Sequence, residues 1–115
     1  MPTILCVDDE HIGLLVRKFV LEHSGYNVVT AEHVAQALDI FKKTAVDAVV
    51  LDYVMPEMDG LRVAKTMREI KPSVPIIMLT ALNELPEKSD FLLDGFVVKG
   101  QSPSELLRAI QQVLH

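Results

Sequence analysis

Five residues with acidic, hydroxyl or amino side chains lie at the ends of short apolar runs. They are Asp8, Asp9, Asp52, Thr80 and Lys99. Carboxylates held close together repel each other unless a cation lies among them, and an oxygen-only site with few protein ligands suits Mg²⁺ or Mn²⁺. The lysine adds a positive charge and the threonine adds a hydroxyl donor for phosphoryl oxygens. The set predicts phosphoryl transfer, with an aspartate as the nucleophile.

Four apolar runs, each too short for a helix, precede these residues along the chain. They are Ile4–Val7, Ala48–Leu51, Ile76–Leu79 and Phe96–Val98. We predict that each is a strand buried on both faces of a parallel sheet. A fifth and more polar strand, Asn27–Ala31, is expected at the sheet edge. Because ligands bind beyond the carboxyl ends of the strands in an open parallel sheet, the residues that end the strands are expected to converge.

Helical patterns separate the predicted strands. The first runs from Ile12 to Leu21 with a wide apolar face, and Gly25 follows it as a C-terminal glycine. The others are marked by apolar stripes at Val34, Ala37, Leu38 and Phe41, at Leu61, Ala64, Met67 and Ile70, and at Leu106, Leu107, Ile110, Val113 and Leu114. Ser102–Glu105 predicts a capping box at the start of the last helix. Strand and helix thus alternate, which predicts an α/β fold with helices on both faces of the sheet.

Composition limits the classes of protein that this chain can belong to. Its 115 residues, half of them hydrophobic, are expected to form one domain over residues 1–115. A net charge of −5 without a basic stripe argues against nucleic acid as a direct partner. No apolar run is long enough to cross a membrane, and no signal peptide is evident. The single cysteine, Cys6, is expected to be a buried hydrophobe in a reducing, cytoplasmic compartment.

With these residues in place, the chain resembles the receiver domain of two-component response regulators over essentially its whole length. The segments that carry the resemblance are Ile4–Glu10, Val49–Gly60, Ile77–Ala81 and the single residue Lys99. The resemblance implies a flavodoxin-like (βα)5 doubly wound parallel sheet with strand order 2-1-3-4-5, as in the chemotaxis receiver CheY.

The same resemblance implies a role for each acidic residue. Asp52 would accept a phosphoryl group from a sensor histidine kinase or a histidine phosphotransfer protein. Asp8 and Asp9 would hold Mg²⁺, or Mn²⁺ in its place, with Asp52 and the backbone carbonyl of Val54 completing the protein ligands. A downstream protein target would then recognise the phosphorylated form.

Thr80 and Phe96 would form the switch of such a domain, and Lys99 would act beside them. Thr80 would bond a phosphoryl oxygen in the active state, and Lys99 would pair with the phosphoryl group. Phe96, three residues before the lysine, would be the aromatic side chain that turns inward on activation. The alternative interpretation of Phe96 is an ordinary core phenylalanine.

The chain departs from the family pattern in two places. Gly100 follows Lys99 where the family usually has proline, so the loop that holds the lysine is expected to be more flexible. The stretch from Thr80 to Lys99 is shorter than usual and contains Pro86, so the fourth helix is expected to be short or distorted.

Several functions compete at this stage. A stand-alone phosphoacceptor switch that turns over no separate substrate is favoured, because no linker follows His115. A receiver fragment of a larger response regulator or hybrid kinase is the main alternative. An aspartyl-phosphate phosphatase is a distant one, since Asp8 and Asp9 are adjacent rather than spaced by one residue. A degenerate receiver that only docks other proteins is disfavoured by the intact acidic set.

Overall fold

In the computed structural model of the protein, which describes residues 1–54, 59–81 and 92–114, five parallel strands form one sheet. The strands are β1 (Thr3–Val7), β2 (Asn27–Ala31), β3 (Ala48–Asp52), β4 (Ile76–Thr80) and β5 (Gly95–Val98). The described helices are α1 (His11–His23), α2 (Val34–Lys43), α3 (Gly60–Ile70) and α4 (Pro103–Val113). The strand order β2-β1-β3-β4-β5 confirms the predicted order.

The predicted strands and helices agree closely with those observed. β2 has the predicted bounds and lies at a sheet edge, and the other strands extend the predictions by one residue at an end. The helix α4 corresponds to the fifth helix predicted from the sequence. The predicted short fourth helix falls on residues 82–91, which lie outside the described part of the chain.

Two hydrophobic cores lie on opposite faces of the sheet, as expected for a doubly wound fold. Helices α2 and α3 cover one face, where Phe41 and Met67 pack on Leu5, Val49 and other strand residues. Helices α1 and α4 cover the other face. The buried residues there include Leu14, Leu21, Leu106 and Ile110 from the helices and Cys6, Val50, Ile77 and Val97 from the strands. Strand side chains alternate between the two cores, since successive residues of a strand point to opposite faces.

β5 differs from the prediction of a strand buried on both faces. The Phe96 side chain is 60% exposed, whereas its neighbour Val97 is buried against α1 and α4. Within the described ranges β5 pairs with β4 alone and lies at the sheet edge, where a strand has fewer neighbours to pack against. The interpretation of Phe96 as a core phenylalanine is therefore wrong.

Helix α1 has an apolar surface that the core does not use. Two of its residues, Leu14 and Leu21, are buried, but four large apolar side chains are exposed. These are Ile12, Leu15, Val16 and Phe19, which we call the α1 stripe. The wide apolar face seen in the sequence is thus divided between a core side and a solvent side. None of the helices in the described ranges is long and apolar enough to cross a bilayer.

The helix ends confirm one predicted cap and correct another. Gly25 has φ +96°, and the amides of Gly25 and Tyr26 close the end of α1 on the carbonyls of Glu22 and Leu21. This is the C-terminal glycine motif predicted there. Ser102 is the N-cap of α4 and Pro103 begins the helix, but the predicted capping box is not formed. The Ser102 hydroxyl instead lies 2.7 Å from that of Ser104.

Arg68 ties the end of α3 to the start of β5. Its guanidinium donates to the carbonyls of Pro72, Val74 and Leu92 at 2.6–3.0 Å and to Asp94 Oδ2 at 2.8 Å. The same carboxylate oxygen accepts from the first amide of β4 at 2.8 Å. This network fixes the register between β4 and β5. At their other ends, β4 finishes at Thr80 and β5 is followed directly by Lys99.

Candidate functional site

The parallel register brings the predicted site residues to one edge of the sheet. Val7 of β1 pairs with Leu51 of β3, so the residues that follow, Asp8 and Asp52, come side by side. On the other side of β3, Asp52 pairs with Leu79, one residue before Thr80 of β4. The carboxyl ends of parallel strands that share a register lie together at one end of the sheet. This places the acidic residues near the carboxyl ends of β4 and β5.

The three predicted aspartates form one cluster of oxygen ligands. Oxygen atoms of Asp8, Asp9 and Asp52 lie within 4.8 Å of one another. Asp8 and Asp52 are buried, with 1% and 3% of their surfaces exposed, and Asp9 is exposed. An oxygen-only set that is open on one side suits a hard divalent cation that keeps some of its water. The residues present therefore fit a Mg²⁺ or Mn²⁺ ion.

Asp8 is held by the backbone and by two basic side chains. Its Oδ1 accepts from the Glu10 amide at 2.9 Å. Its Oδ2 accepts from Arg17 Nη2 and lies 3.7 Å from Lys99 Nζ. Burial acts to raise the pKa of Asp8, but the Glu10 amide and the charges of Arg17 and Lys99 outweigh it and lower that pKa. Of the buried pair, Asp8 is therefore the carboxyl that loses its proton at the lower pH.

Asp52 is paired with Lys99. The lysine Nζ lies 2.9 Å from Asp52 Oδ1. Burial raises the pKa of Asp52 to about 6 despite the lysine, and the negative charge of Asp8 acts in the same direction as burial. The Lys99 amide donates to the Thr80 carbonyl at 2.8 Å, which continues the strand pairing up to the lysine.

Gly100 gives the lysine loop a shape that proline cannot adopt. Its φ is +88°, in the left-handed region, whereas the proline ring fixes φ near −65°. Gly100 therefore replaces the usual proline with a different turn. The predicted flexibility of this loop stays a prediction.

Thr80 and Val54, predicted to supply a hydroxyl and a backbone carbonyl to the site, lie near the acidic cluster. The Thr80 hydroxyl makes a different contact in this structure from the predicted one. Thr80 is buried, and its hydroxyl donates to the Ala81 carbonyl at 2.9 Å. Val54 follows β3 and has an exposed side chain. The rest of the acidic loop, residues 55–58, lies outside the described ranges. Phe96 is exposed on β5, and its predicted role in a switch stays a prediction.

Gly60 lets helix α3 begin directly against the end of β3. A Cβ atom at this position would lie 2.6 Å from the Asp52 carbonyl oxygen and 2.7 Å from Tyr53 Cα. The Gly60 amide donates to the Tyr53 carbonyl at 2.6 Å. Asp59 caps the helix by accepting from the Arg62 amide at 2.9 Å. This close approach explains why glycine is needed at the start of the helix.

Arg17 is the member of the site that the sequence analysis missed. It lies on α1, nine positions after Asp8, in a segment interpreted only as an amphipathic helix. The signal available in the sequence was Gly13, an unusual residue for a helix interior, one turn before the arginine.

The chain belongs to the response regulator receiver domain family. The sequence profile of that family matches residues 4–111. The chain is 43% identical over 114 residues to the probable transcriptional regulator ycf27 of Porphyra purpurea. It is 36% identical over 114 residues to the alkaline phosphatase synthesis transcriptional regulatory protein PhoP of Bacillus subtilis. Each alignment covers 96% of this chain but only 46% and 48% of the relatives, so the chain spans about half their length.

Solved structures of receivers share the fold over nearly the whole chain. The response regulator TrrA of Thermotoga maritima, crystallised with Mg²⁺ and a beryllium fluoride, is 36% identical with a TM-score of 0.93, and the match covers 99% of this chain and 100% of TrrA. TrrA in complex with the histidine kinase ThkA matches with a TM-score of 0.92 and covers 100% of both chains.

Proposed function

We propose that the chain is a phosphoacceptor signalling switch that takes a phosphoryl group on Asp52 and thereby changes its partner-binding face. The observation that carries the proposal is the buried Asp52 carboxylate, clustered with two further carboxylates and the Lys99 ammonium. Clustered buried carboxylates cost folding free energy, which favours a functional role over a structural one. The phosphoryl donor is a sensor histidine kinase or a histidine phosphotransfer protein.

In the proposed step, an oxygen of the Asp52 carboxylate attacks the phosphorus of a phosphohistidine. The P–N bond breaks, its electron pair returns to the imidazole, and Asp52 becomes an acyl phosphate. Because the pKa of Asp52 is raised only to about 6, most molecules carry the nucleophilic anion at about pH 7. Lys99 is placed to neutralise phosphoryl oxygens as they arrive.

The residues proposed to hold Mg²⁺, or Mn²⁺ in its place, are Asp8, Asp9, Asp52 and the backbone carbonyl of Val54. The spacing of the carboxylate oxygens, within 4.8 Å of one another, supports this ligand set. When bound, the cation supplies neutralisation of the charge on the phosphoryl oxygens. The buried pair Asp8 and Asp52 fixes the position of the site, and the exposed Asp9 completes it.

A protein is the favoured phosphoryl donor because of the surface next to the site. The four exposed side chains of the α1 stripe recur at the spacing of one helix face, and an exposed apolar patch of this kind marks a protein contact. The same helix carries Arg17, which contacts Asp8. A donor seated on the α1 stripe would have the acidic cluster within reach of its phosphohistidine. The complex of TrrA with a histidine kinase supports this class of donor.

The phosphorylated form is proposed to act on a downstream protein in the cytoplasm, without contacting nucleic acid or membrane through this domain. The net charge of −5 supports that choice of partner. The chain catalyses its own phosphorylation and dephosphorylation and turns over no separate substrate. In a longer regulator the same domain would control an attached output domain. Relatives named as transcriptional regulators, of about twice this length, support that alternative.

The decisive experiment is treatment with acetyl phosphate and Mg²⁺, followed by mass spectrometry. We expect one phosphoryl group per chain, located on Asp52, and none when EDTA replaces the metal. Continuous release of inorganic phosphate without accumulation of labelled protein would indicate a phosphatase instead. A chain that is never labelled, although folded and saturated with metal, would be a docking module.

Beryllofluoride with Mg²⁺ is expected to move Thr80 and Phe96 together. The Thr80 hydroxyl now donates to a neutral carbonyl, and an anion on Asp52 would be the stronger acceptor. Its movement frees space for the Phe96 ring to turn inward, as a shift between two states. NMR spectra should show large shifts at the ends of β4 and β5 and almost none in β2. An unchanged environment of the Phe96 ring would contradict this switch.

A further inference from the structure

Arg17 reaches from helix α1 into the acidic cluster. Its Nη2 donates to Asp8 Oδ2, and 18% of its side chain is exposed, against 2% for the Asp8 side chain. The Arg17 Nε is buried and has no hydrogen-bond partner among the described residues. The guanidinium is therefore held in this position mainly by the Asp8 carboxylate.

Both oxygens of Asp8 are already occupied in this arrangement. Oδ1 accepts from the Glu10 amide at 2.9 Å, and Oδ2 accepts from Arg17. Lys99 Nζ lies 2.9 Å from Asp52 and 3.7 Å from Asp8. Two basic side chains thus balance the charge of the two buried carboxylates. A divalent cation that binds through Asp8 has to compete with the guanidinium, which carries charge of the same sign.

Helix α1 provides the room for this contact at Gly13. A Cβ atom there would lie 3.2 Å from Glu10 Oε1 and 3.5 Å from Arg17 Nη1, so both side chains pass over the glycine. Glycine inside a helix costs roughly 1 kcal/mol relative to alanine, which favours a reason for it at this position. A Cβ atom at this position would touch the guanidinium at an ordinary van der Waals distance and would press more closely on Glu10 Oε1.

The structure also provides a place for the guanidinium when it leaves Asp8. A cavity of about 390 Å³ lies between α1 and the β5–α4 connection. It is lined by Asp8, Val16, Arg17, Val98, Lys99 and Gly100, among others. The arginine can turn within this space without crossing the packed core.

We propose that Arg17 is an internal counter-ion that occupies the acidic site in the metal-free protein and must leave Asp8 when a divalent cation binds. This inference rests on the metal site of the proposed function. Arg17 is a positioning residue that weakens metal affinity and ties occupation of the site to the conformation of α1, the helix that carries the α1 stripe. Its release on metal binding would couple the metal to the surface proposed for the phosphoryl donor.

Calorimetric titration of the full chain with Mg²⁺ and with Mn²⁺ tests the competition. Arg17→Gln is expected to bind both ions roughly three- to tenfold more tightly than the original protein, since one repelling charge is removed from a partly buried site. Arg17→Lys, which keeps the charge, is expected to stay closer to the original affinity. Arg108→Gln is the matched control, because Arg108 pairs with Glu105 on the exposed side of α4. Equal or weaker metal binding by Arg17→Gln would overturn the proposal.

Two further readouts do not depend on the titration. In EDTA, Arg17→Gln is expected to unfold at a lower urea concentration than the original protein, and saturating Mg²⁺ should abolish most of that difference. In the original protein, the Arg17 Nε–H signal in NMR should shift during Mg²⁺ addition. An unmoved signal in a protein that binds the ion would refute the proposal even if no variant folds. If neither protein binds any divalent cation, the metal site of the proposed function fails and this inference fails with it.

Discussion

The Asp52→Asn protein is expected to accept no phosphoryl group from acetyl phosphate, while remaining folded. Asp52 is the last residue of β3, and the amide of asparagine is not a nucleophile toward phosphorus. Mass spectrometry under conditions that label the original protein completely measures the loss. Asp39→Asn, which neutralises an exposed carboxylate on α2, is the control and should be labelled normally. Undiminished labelling of Asp52→Asn would remove the assignment of this residue as the phosphoacceptor.

The same substitution is expected to raise the stability of the metal-free protein at neutral pH. Burial raises the pKa of Asp52 from 3.8 to about 6, so the folded protein holds this proton more tightly than the unfolded chain does. The ionised carboxylate therefore lowers stability, starting as the pH rises above 3.8 and in full above about 6. Asparagine carries no charge at any pH, so the Asp52→Asn protein does not lose this stability as the pH rises.

Urea denaturation in EDTA measures the difference between the two proteins. At about pH 7, Asp52→Asn should be more stable by about 1–2 kcal/mol, after allowance for the lost Lys99 pair. At pH 4 the difference should largely vanish, because Asp52 is then mostly protonated in the folded protein. A stability difference that does not change with pH would show that Asp52 is not the group whose ionisation opposes folding.

Gly60→Ala is expected to destabilise the protein by about 2–3 kcal/mol, although alanine is the better helix former. The added methyl group would meet the Asp52 carbonyl oxygen at 2.6 Å and Tyr53 Cα at 2.7 Å. These are backbone atoms, so no change of rotamer relieves the clash. Helix α3 must move away from β3, or the end of β3 must bend.

Thermal and urea unfolding of Gly60→Ala should therefore show the loss, and labelling with acetyl phosphate should slow because the clash displaces the backbone of Asp52. Gly95→Ala is the matched control, since a Cβ atom at Gly95 would meet nothing within 4 Å and this glycine has no positive φ. Similar stability losses for the two variants would mean that the close approach at Gly60 is not what requires glycine there.

The sequence predicted the elements and most of the site because both depend on local patterns and on one property of parallel sheets. Apolar runs such as Ala48–Leu51 are too short for helices, and the residues that follow them converge once the strands share a register. Neither inference requires knowledge of how any single side chain packs. The agreement at Asp8 and Asp52 is of this kind.

The features that escaped prediction all depend on which group a side chain meets in three dimensions. The contact of Arg17 with Asp8 joins a helix to the end of a strand, and no periodic pattern in the sequence predicts this contact. Exposure of Phe96 follows from the edge position of β5, which the apolar run itself does not reveal. Ser102 satisfies the pattern of a capping box, yet its hydroxyl finds a nearer partner in Ser104. The local sequence shows which interactions a side chain can make, but it does not show which neighbouring group the side chain meets in the folded protein.

Cys6 provides a chemical probe of how often the core around it opens. The thiol is buried in β1, the strand that precedes Asp8, and burial raises its pKa to about 12. Since the thiolate is the reactive form and the chain has one cysteine, alkylation has to wait until the core between the sheet and helices α1 and α4 opens around Cys6. The rate of alkylation therefore reports the free energy of that opening at one position on the strand that leads to Asp8. Any ion or phosphoryl mimic that bridges β1 and β3 would slow the alkylation of Cys6.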